Sequence, residues 1–204
     1  KEIFIYGIEE FYLDKTQREE VQKYQTTIQK VIIDEGITII RNETFKGFSA
    51  MERITFSSTV ETIETIETVE TIETVDVFDE CESLKEIVVD TNNNNYKSSN
   101  GVLINQKDKT KITLMKYPIA KEGETYTIPE DVTVIGMRSF ESSKNLKTMI
   151  IPSTITEIQD FAFRYCKSMT SFTVTTGNPN YESLNGVLFQ KIEGNKLKLI
   201  HLFN

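Results

Sequence analysis

The sequence has 204 residues and a formal net charge of −8, from 23 Lys and Arg against 31 Asp and Glu. An acidic chain without a basic cluster lacks the concentrated positive charge that neutralises phosphates, which argues against nucleic-acid binding. Ile, Thr and Val far outnumber Leu and Ala, and this β-branched excess favours strands over a helical bundle. No apolar run approaches the roughly 20 residues of a membrane-spanning helix, and no signal-peptide core is present.

The first 27 residues differ in pattern from the rest of the chain. KEIFIY (1–6) favours a strand, and DKTQREEVQKYQ (14–25) is typical of a helix. Thr16 is a candidate N-cap with Glu19 three residues later, as in a capping box. Because the apolar face of an end coil needs cover, we interpret residues 1–27 as an N-terminal capping segment.

From residue 28 to the end the sequence consists of similar units. Residues 28–50 align without a gap on residues 146–168. Residues 126–146 have the same spacing and align with the second copy at an offset of 23 residues, so the period is 23 residues. Each unit has an apolar triplet, then two aliphatic residues three apart, then an aromatic residue five further on. Such a unit is too short to enclose a core, but stacked units share one, so we predict a solenoid. The triplets are Ile28, Val31, Ile33; Met51, Ile54, Phe56; Leu84, Ile87, Val89; Leu146, Met149, Ile151; and Met169, Phe172, Val174, with Tyr126 and Ile128 in the unit between.

The second unit is expanded over residues 60–78 by Glu-Thr-Ile/Val triplets. Its first aliphatic residue and its aromatic residue are 18 residues apart, where the unit at 155–163 needs 8. A period of three keeps the apolar residues in one stripe, which predicts a 3₁₀-like or extended bulge on the convex side. The bulge is either an acidic cation or partner site or a triplet expansion tolerated on a solvated surface, and the second interpretation is favoured.

A larger duplication overlays the repeat, because residues 90–104 match 175–189 at an offset of 85. An alternating apolar stretch follows each copy, which predicts a β-hairpin inserted between coils at about 96–118 and 181–203. Asn100-Gly101 and Asn185-Gly186 supply the tight turn entering each hairpin.

The asparagine run at 90–95 offers oxygen atoms for calcium but lacks the spaced carboxylates of an EF-hand. A turn with hydrogen bonds from side chain to backbone explains both copies better. The second copy ends where the first leads into a further unit, so we expect the natural chain to continue.

Catalytic chemistry has little support in the sequence. His201 is the only histidine and lies on an alternating strand. Cys81 and Cys166 occupy the same position in units at least three coils apart, too far for a disulfide, and we expect both in the core. Neither has a recurring His and acid partner, so we predict a non-enzymatic protein without metal or cofactor. The sequon at 42–44 is weak evidence for secretion.

Two patterns carry a family resemblance: L-x-x-I-x-I-P-x-x-(I/V)-x-x-I-x-x-x-A-F-x-x-C in the repeat, and N-P-N-Y-x-S-x-N-G-V-L-F in the second insert. Over about residues 28–203 the chain resembles the BspA-type, or treponema-type, leucine-rich repeat proteins. The resemblance implies an α/β solenoid: a right-handed horseshoe with a parallel concave sheet and short irregular helices or 3₁₀ turns on the convex side. It also implies a microbial cell-surface or secreted adhesion protein whose partner is a protein or glycan, such as a host matrix or cell-surface protein.

Alternation along the repeat strand places the triplet residues inward and the residues between them on the concave surface. The predicted central ladder is Ile32, Thr55, Val88, Thr127, Ile150 and Thr173, flanked by Lys30, Arg53, Glu86, Thr125, Thr148 and Ser171. Its exposed aliphatic residues indicate either a protein-contact surface or strand propensity alone. We predict recognition of protein or glycan by this face; the alternative is a structural spacer or self-associating scaffold.

Overall fold

The structure is a computed structural model that describes residues 1–5, 10–11, 23–64, 76–194 and 196–201. It divides into two compact units, residues 1–101 and 102–204, each described by itself below. In chain order the strands are β1 (Glu2–Ile5), β2 (Glu10–Phe11), β3 (Lys30–Ile33), β4 (Ile39–Ile40), β5 (Arg53–Phe56), β6 (Thr62–Ile63), β7 (Glu86–Val89), β8 (Tyr96–Ser99), β9 (Val102–Asn105), β10 (Thr113–Lys116), β11 (Thr125–Thr127), β12 (Val134–Ile135), β13 (Thr148–Ile151), β14 (Glu157–Ile158), β15 (Ser171–Val174), β16 (Tyr181–Leu184), β17 (Val187–Ile192) and β18 (Lys196–His201).

The main sheet of the first unit is parallel, in the order β1-β3-β5-β7. Val31 pairs with Ile54, and Ile54 pairs with Ile87, so equivalent residues of successive coils stack in register. All three side chains are fully buried, as the alternation predicts. Ile54 and Ile87 are 33 residues apart instead of 23, so the expansion between them lengthens the coil without shifting the register. Of that expansion, residues 65–75 lie outside the described residues.

The N-terminal segment adds strands to this unit. β1 pairs in parallel with β3, and β2 pairs in parallel with β4. The predicted capping box at Thr16 and Glu19 lies outside the described residues. The capping role of residues 1–27 stays a prediction.

Of the predicted short irregular helices or 3₁₀ turns on the convex side, the helices are not confirmed, because the described part of the chain contains strands and turns and no helix. Two-residue strands follow β1, β3 and β5 and form a second parallel sheet, β2-β4-β6, in the first unit. Turns with hydrogen bonds between residues three apart come next, such as Phe48 N to the Phe45 carbonyl at 3.1 Å. Positive φ angles within them, 56° at Glu43 and 52° at Arg138, prevent a continuous helix. Each coil is therefore a turn of a β-solenoid.

The second unit repeats this plan with β11, β13 and β15 in its main parallel sheet and β10, β12 and β14 adjacent in a second sheet. Its core is largely aliphatic and contains a ladder of aromatic rings from successive coils. Phe140 and Phe163 have ring centroids 5.6 Å apart, and Phe163 and Phe172 have centroids 5.0 Å apart. Each buried Phe side chain contributes roughly 1.5–3 kcal/mol of transfer free energy, so stacking of coils supplies the core that a single coil lacks.

Antiparallel strands occur in both predicted insert segments, with one strand more than expected. In the second insert β17 pairs antiparallel with β18, and β16 pairs antiparallel with β17. Asn185 and Gly186, with φ of 52° and 84°, join β16 to β17. Two consecutive positive φ angles indicate a type I′ turn, whose twist matches that of the flanking strands. The first insert likewise pairs β9 antiparallel with β10.

Each insert also closes the edge of a main sheet. Phe172 N donates to the Gly186 carbonyl at 2.7 Å, and Val174 N donates to Ser183 Oγ at 3.1 Å. The first unit has the same pair of bonds, from Ile87 N to the Gly101 carbonyl and from Val89 N to Ser98 Oγ. The insert thus occupies positions that the strand of a next coil would take. The single six-residue ladder predicted above is therefore wrong: it is divided between two separate sheets.

The asparagine turn is confirmed as a structural device. Asn178 is buried, and its Nδ2 donates to the Pro152 and Ile155 carbonyls at 2.9 and 3.1 Å. Its Oδ1 accepts from the backbone N–H groups of Asn180 and Tyr181 at 2.9 and 2.8 Å. Asn93 makes the same four bonds in the first unit. Each side chain ties an insert to the coil before it.

Candidate functional site

The predicted binding residues of the first unit lie on the outward face of its main sheet in two rows. Lys30, Arg53 and Glu86 are neighbours in register, and Arg53 Nη1 lies 3.1 Å from Glu86 Oε2. This ion pair is exposed, so its contribution to stability is small. Its two charges largely neutralise each other on the surface.

The second row of the first unit is uncharged. Ile32, Thr55 and Val88 are also neighbours in register, and each is partly buried. The three side chains form a short stripe of aliphatic and hydroxyl groups beside the charged row.

The second unit presents a more uniform face. Thr127, Ile150 and Thr173 are neighbours in register on the outward side of β11, β13 and β15. The adjacent row contains Thr148 between Thr125 and Ser171. None of these outward positions carries a charged side chain. The structure thus brings the predicted residues together within each unit.

Sequence reasoning missed a group of side chains on the last two turns of the second unit, here called the turn cluster: Phe161, Arg164 and Tyr165 on the last turn, and Arg138 and Glu141 on the turn before it. Phe161 and Tyr165 are 57% and 56% exposed. The Arg164 guanidinium lies 4.5 Å from the Tyr165 ring centroid and 5.6 Å from that of Phe161, and its Nη2 donates to the Tyr165 hydroxyl at 2.7 Å. Arg138 lies 5.8 Å from the Phe161 ring centroid.

The turn cluster borders a cavity of about 370 Å³, whose opposite wall is β18 and Gln190 of β17. Three polar side chains on its wall make no hydrogen bond or ion pair within the described residues: Asp160, Gln190 and Lys198. His201 closes one side, with its ring centroid 5.6 Å from that of Phe172. Burial lowers the pKa of His201, which favours the neutral imidazole.

The repeat itself contained a signal for this cluster. Phe161 and Tyr165 stand two residues before and after the buried Phe163, and the equivalent residues beside Phe45 are Glu43 and Gly47. Positive φ angles occur at both of these positions in the coils of Phe45, Phe140 and Phe163, so these coils share the turn backbone. Only the last of these coils has aromatic side chains at the two positions.

The two thiols are core groups. Cys166 Sγ donates to the Phe140 carbonyl at 2.9 Å, and Cys81 Sγ donates to the Phe45 carbonyl at 3.1 Å. Burial raises the pKa of Cys166 to about 11, so at neutral pH it is a thiol with little nucleophilic character. The described part of the chain also groups no three His, Cys, Asp or Glu side chains that could hold a metal ion.

The stacked 23-residue coils and the duplicated inserts agree with a known repeat family. The family model described as "BspA type Leucine rich repeat region" matches residues 18–116 and 120–202, in six copies. The chain belongs to the BspA-type leucine-rich repeat family. The resemblance seen in the sequence is thereby confirmed, and this member of the BspA-type family is a β-solenoid of about six turns.

Of the three similar solved structures that follow, the first, with a TM-score above 0.5, supports the fold of this BspA-type chain. A leucine rich cell surface protein from Faecalibacterium prausnitzii A2-165 matches with a TM-score of 0.59 and 23% identity, covering 72% of this chain and 35% of that protein. Pneumococcal vaccine antigen PcpA matches at 0.46 and 19%, covering 83% and 55%. A T. pallidum leucine-rich repeat protein matches at 0.42 and 18%, covering 71% and 57%.

The chain thus spans between about a third and just over half of the length of these proteins. No curated protein matches the sequence. Among the described residues, no helix has the length and hydropathy needed to cross a membrane.

Proposed function

We propose that this repeat module is a non-enzymatic part of a cell-surface or secreted protein, and that it binds a protein or glycan on the outward faces of its main sheets. The observation that carries the proposal is the uncharged face of β11, β13 and β15, where Ile150 lies between Thr127 and Thr173. Similarity to a leucine rich cell surface protein supports the location.

The chemistry of this face suits a macromolecular partner. Hydroxyl groups of Thr127 and Thr173 can donate and accept, while the partly buried Ile150 supplies apolar area between them. A partner that covers this face removes no charge from water, and so avoids the largest desolvation penalty of binding. Main-chain hydrogen bonds within the sheet keep the rows rigid, which lowers the ordering entropy lost on binding.

A binding assay with single substitutions tests the proposal. The full chain is measured against immobilised fibronectin, laminin and collagen, and Ile150→Glu is expected to weaken a measured interaction at least about tenfold. Ile192→Glu is the matched control, because Ile192 is an exposed isoleucine on an insert strand, away from this face. Undiminished binding by Ile150→Glu contradicts the proposal. Self-association that depends on concentration, without binding to any of the three proteins, favours a scaffold role instead.

A further inference from the structure

We infer that the cavity between the turn cluster and β18 binds a neutral saccharide, at a site separate from the outward faces of the main sheets. Its volume of about 370 Å³ falls within the range of small-molecule sites, which is about 300–1,000 Å³. The cavity therefore has room for a ligand of monosaccharide or disaccharide size.

The aromatic rings supply the apolar part of the site. Phe161 and Tyr165 are each more than half exposed, although large aromatic side chains are usually buried. The C–H face of a sugar ring packs against such a π face, because the face of the ring is its electron-rich side.

The rings are held in place before any ligand arrives. Arg164 stacks on Tyr165 and donates to its hydroxyl, while Arg138 stacks on Phe161. Side chains that are already ordered lose less rotamer entropy on binding.

The polar wall matches the hydroxyl groups of a sugar. The Asp160 carboxylate accepts hydrogen bonds, the Lys198 ammonium donates them, and the Gln190 amide does both. Sugar hydroxyls are donors and acceptors at once, so a wall that mixes the two satisfies them. The three side chains have no partner within the described residues, and a ligand would supply one.

The charges around the cavity favour a neutral ligand over an anion. Glu141 lies 3.7 Å from Arg138 and 3.8 Å from Arg164, so one carboxylate faces both guanidinium groups. Among the lining residues, Asp160 beside the turn cluster and Lys198 on β18 carry opposite charges. These five groups leave an excess of one positive charge, but both guanidinium groups are already engaged with Glu141 and with the aromatic rings, so Lys198 is the one cation among them that is left for a phosphate.

Saturation-transfer NMR on the full chain tests the inference, with glucose, galactose, N-acetylglucosamine and lactose as separate probes. At least one saccharide is expected to show saturation transfer from the protein. Phe161→Ala and Tyr165→Ala are each expected to weaken the binding of that saccharide at least about tenfold. Tyr165→Phe keeps the ring and is expected to retain most of the binding. Tyr24→Ala removes a similarly exposed ring in the first unit and is expected to change nothing.

Amide spectra of each variant show whether the fold is intact, and Gln190→Ala provides a second test that leaves both rings unchanged. Transfer to no probe overturns the inference, as does transfer that survives both alanine substitutions in folded protein. Inorganic phosphate and a proline-rich peptide are measured in parallel. Binding of either at these residues, without binding of any saccharide, also overturns it.

Discussion

Replacing Asn178 by Ala removes a side chain that makes four hydrogen bonds in a site only 2% exposed. The substitution leaves two backbone carbonyls and two backbone N–H groups without these partners. A typical intramolecular hydrogen bond contributes about 0.5–1.5 kcal/mol net, so the four together amount to about 2–6 kcal/mol. Because domains are stable by only about 5–15 kcal/mol, the loss is a large fraction of the total.

Urea unfolding followed by circular dichroism measures this loss, with the slope checked for a change in the unfolded state. Asn180→Ala is the matched control: its Nδ2 donates one exposed bond, to the Thr156 carbonyl at 2.8 Å, so about 1 kcal/mol is expected. Asn93→Ala, in the first unit, is expected to lose as much as Asn178→Ala because the four bonds are the same. If Asn178→Ala loses no more than Asn180→Ala, the buried bonds do not tie the insert to the coil.

Three further predictions follow from the backbone, the thiols and the buried phenols. Gly186→Ala is expected to lower the unfolding free energy by about 1–3 kcal/mol, because Gly186 has a φ of 84° and the added Cβ would lie 3.1 Å from a serine hydroxyl. Gly194→Ala is expected to lower it by less, because Gly194 has a similar φ of 76° but open space around it. Equal losses of stability in thermal melts would contradict the packing argument. Cys166 is expected to resist Ellman's reagent at neutral pH until urea unfolds the chain, since burial raises its pKa to about 11, and rapid modification of folded protein would refute this. Tyr126→Phe removes a buried hydroxyl that has no partner within the described residues, and is expected to stabilise the fold by up to about 1 kcal/mol. Burial raises the pKa of Tyr126, and it raises the pKa of Tyr117 to about 12. Above pH 10 the unfolded chain therefore releases protons that the folded chain keeps, and the unfolding free energy is expected to fall as the pH rises from about 10. The fall is expected to be less steep in Tyr126→Phe.

The core residues could be predicted from the sequence because the apolar residues at the repeat spacing are the ones that are buried. Val31, Ile54 and Ile87 pair as the apolar triplets predict, and the Glu-Thr expansion does not disturb them. The short strands were missed for a physical reason. A pair such as Ile39–Ile40 is too brief to show a period of two, and its strand exists only because a neighbouring coil pairs with it.

For the candidate sites, too, the sequence predicts only what is local to each strand. Alternation alone placed Ile150 between Thr127 and Thr173 on an outward face, because that arrangement is local to each strand. The division into two sheets depends on where an insert folds back, which local periodicity does not encode. The cavity joins Phe161 to Lys198, 37 residues later, through packing of an insert on a turn.

The turn backbone is held in part by hydrogen bonds between main-chain atoms of neighbouring coils. Phe140 N donates to the Ala162 carbonyl at 2.9 Å, and Ser142 N donates to the Arg164 carbonyl at the same distance. Residues as different as Glu43, Arg138 and Phe161 therefore share one conformation at φ of 52–59°. Point mutations at these positions can alter what the molecule displays to its surroundings while these main-chain bonds are kept, so the turns offer natural selection a row of sites for acquiring new ligands.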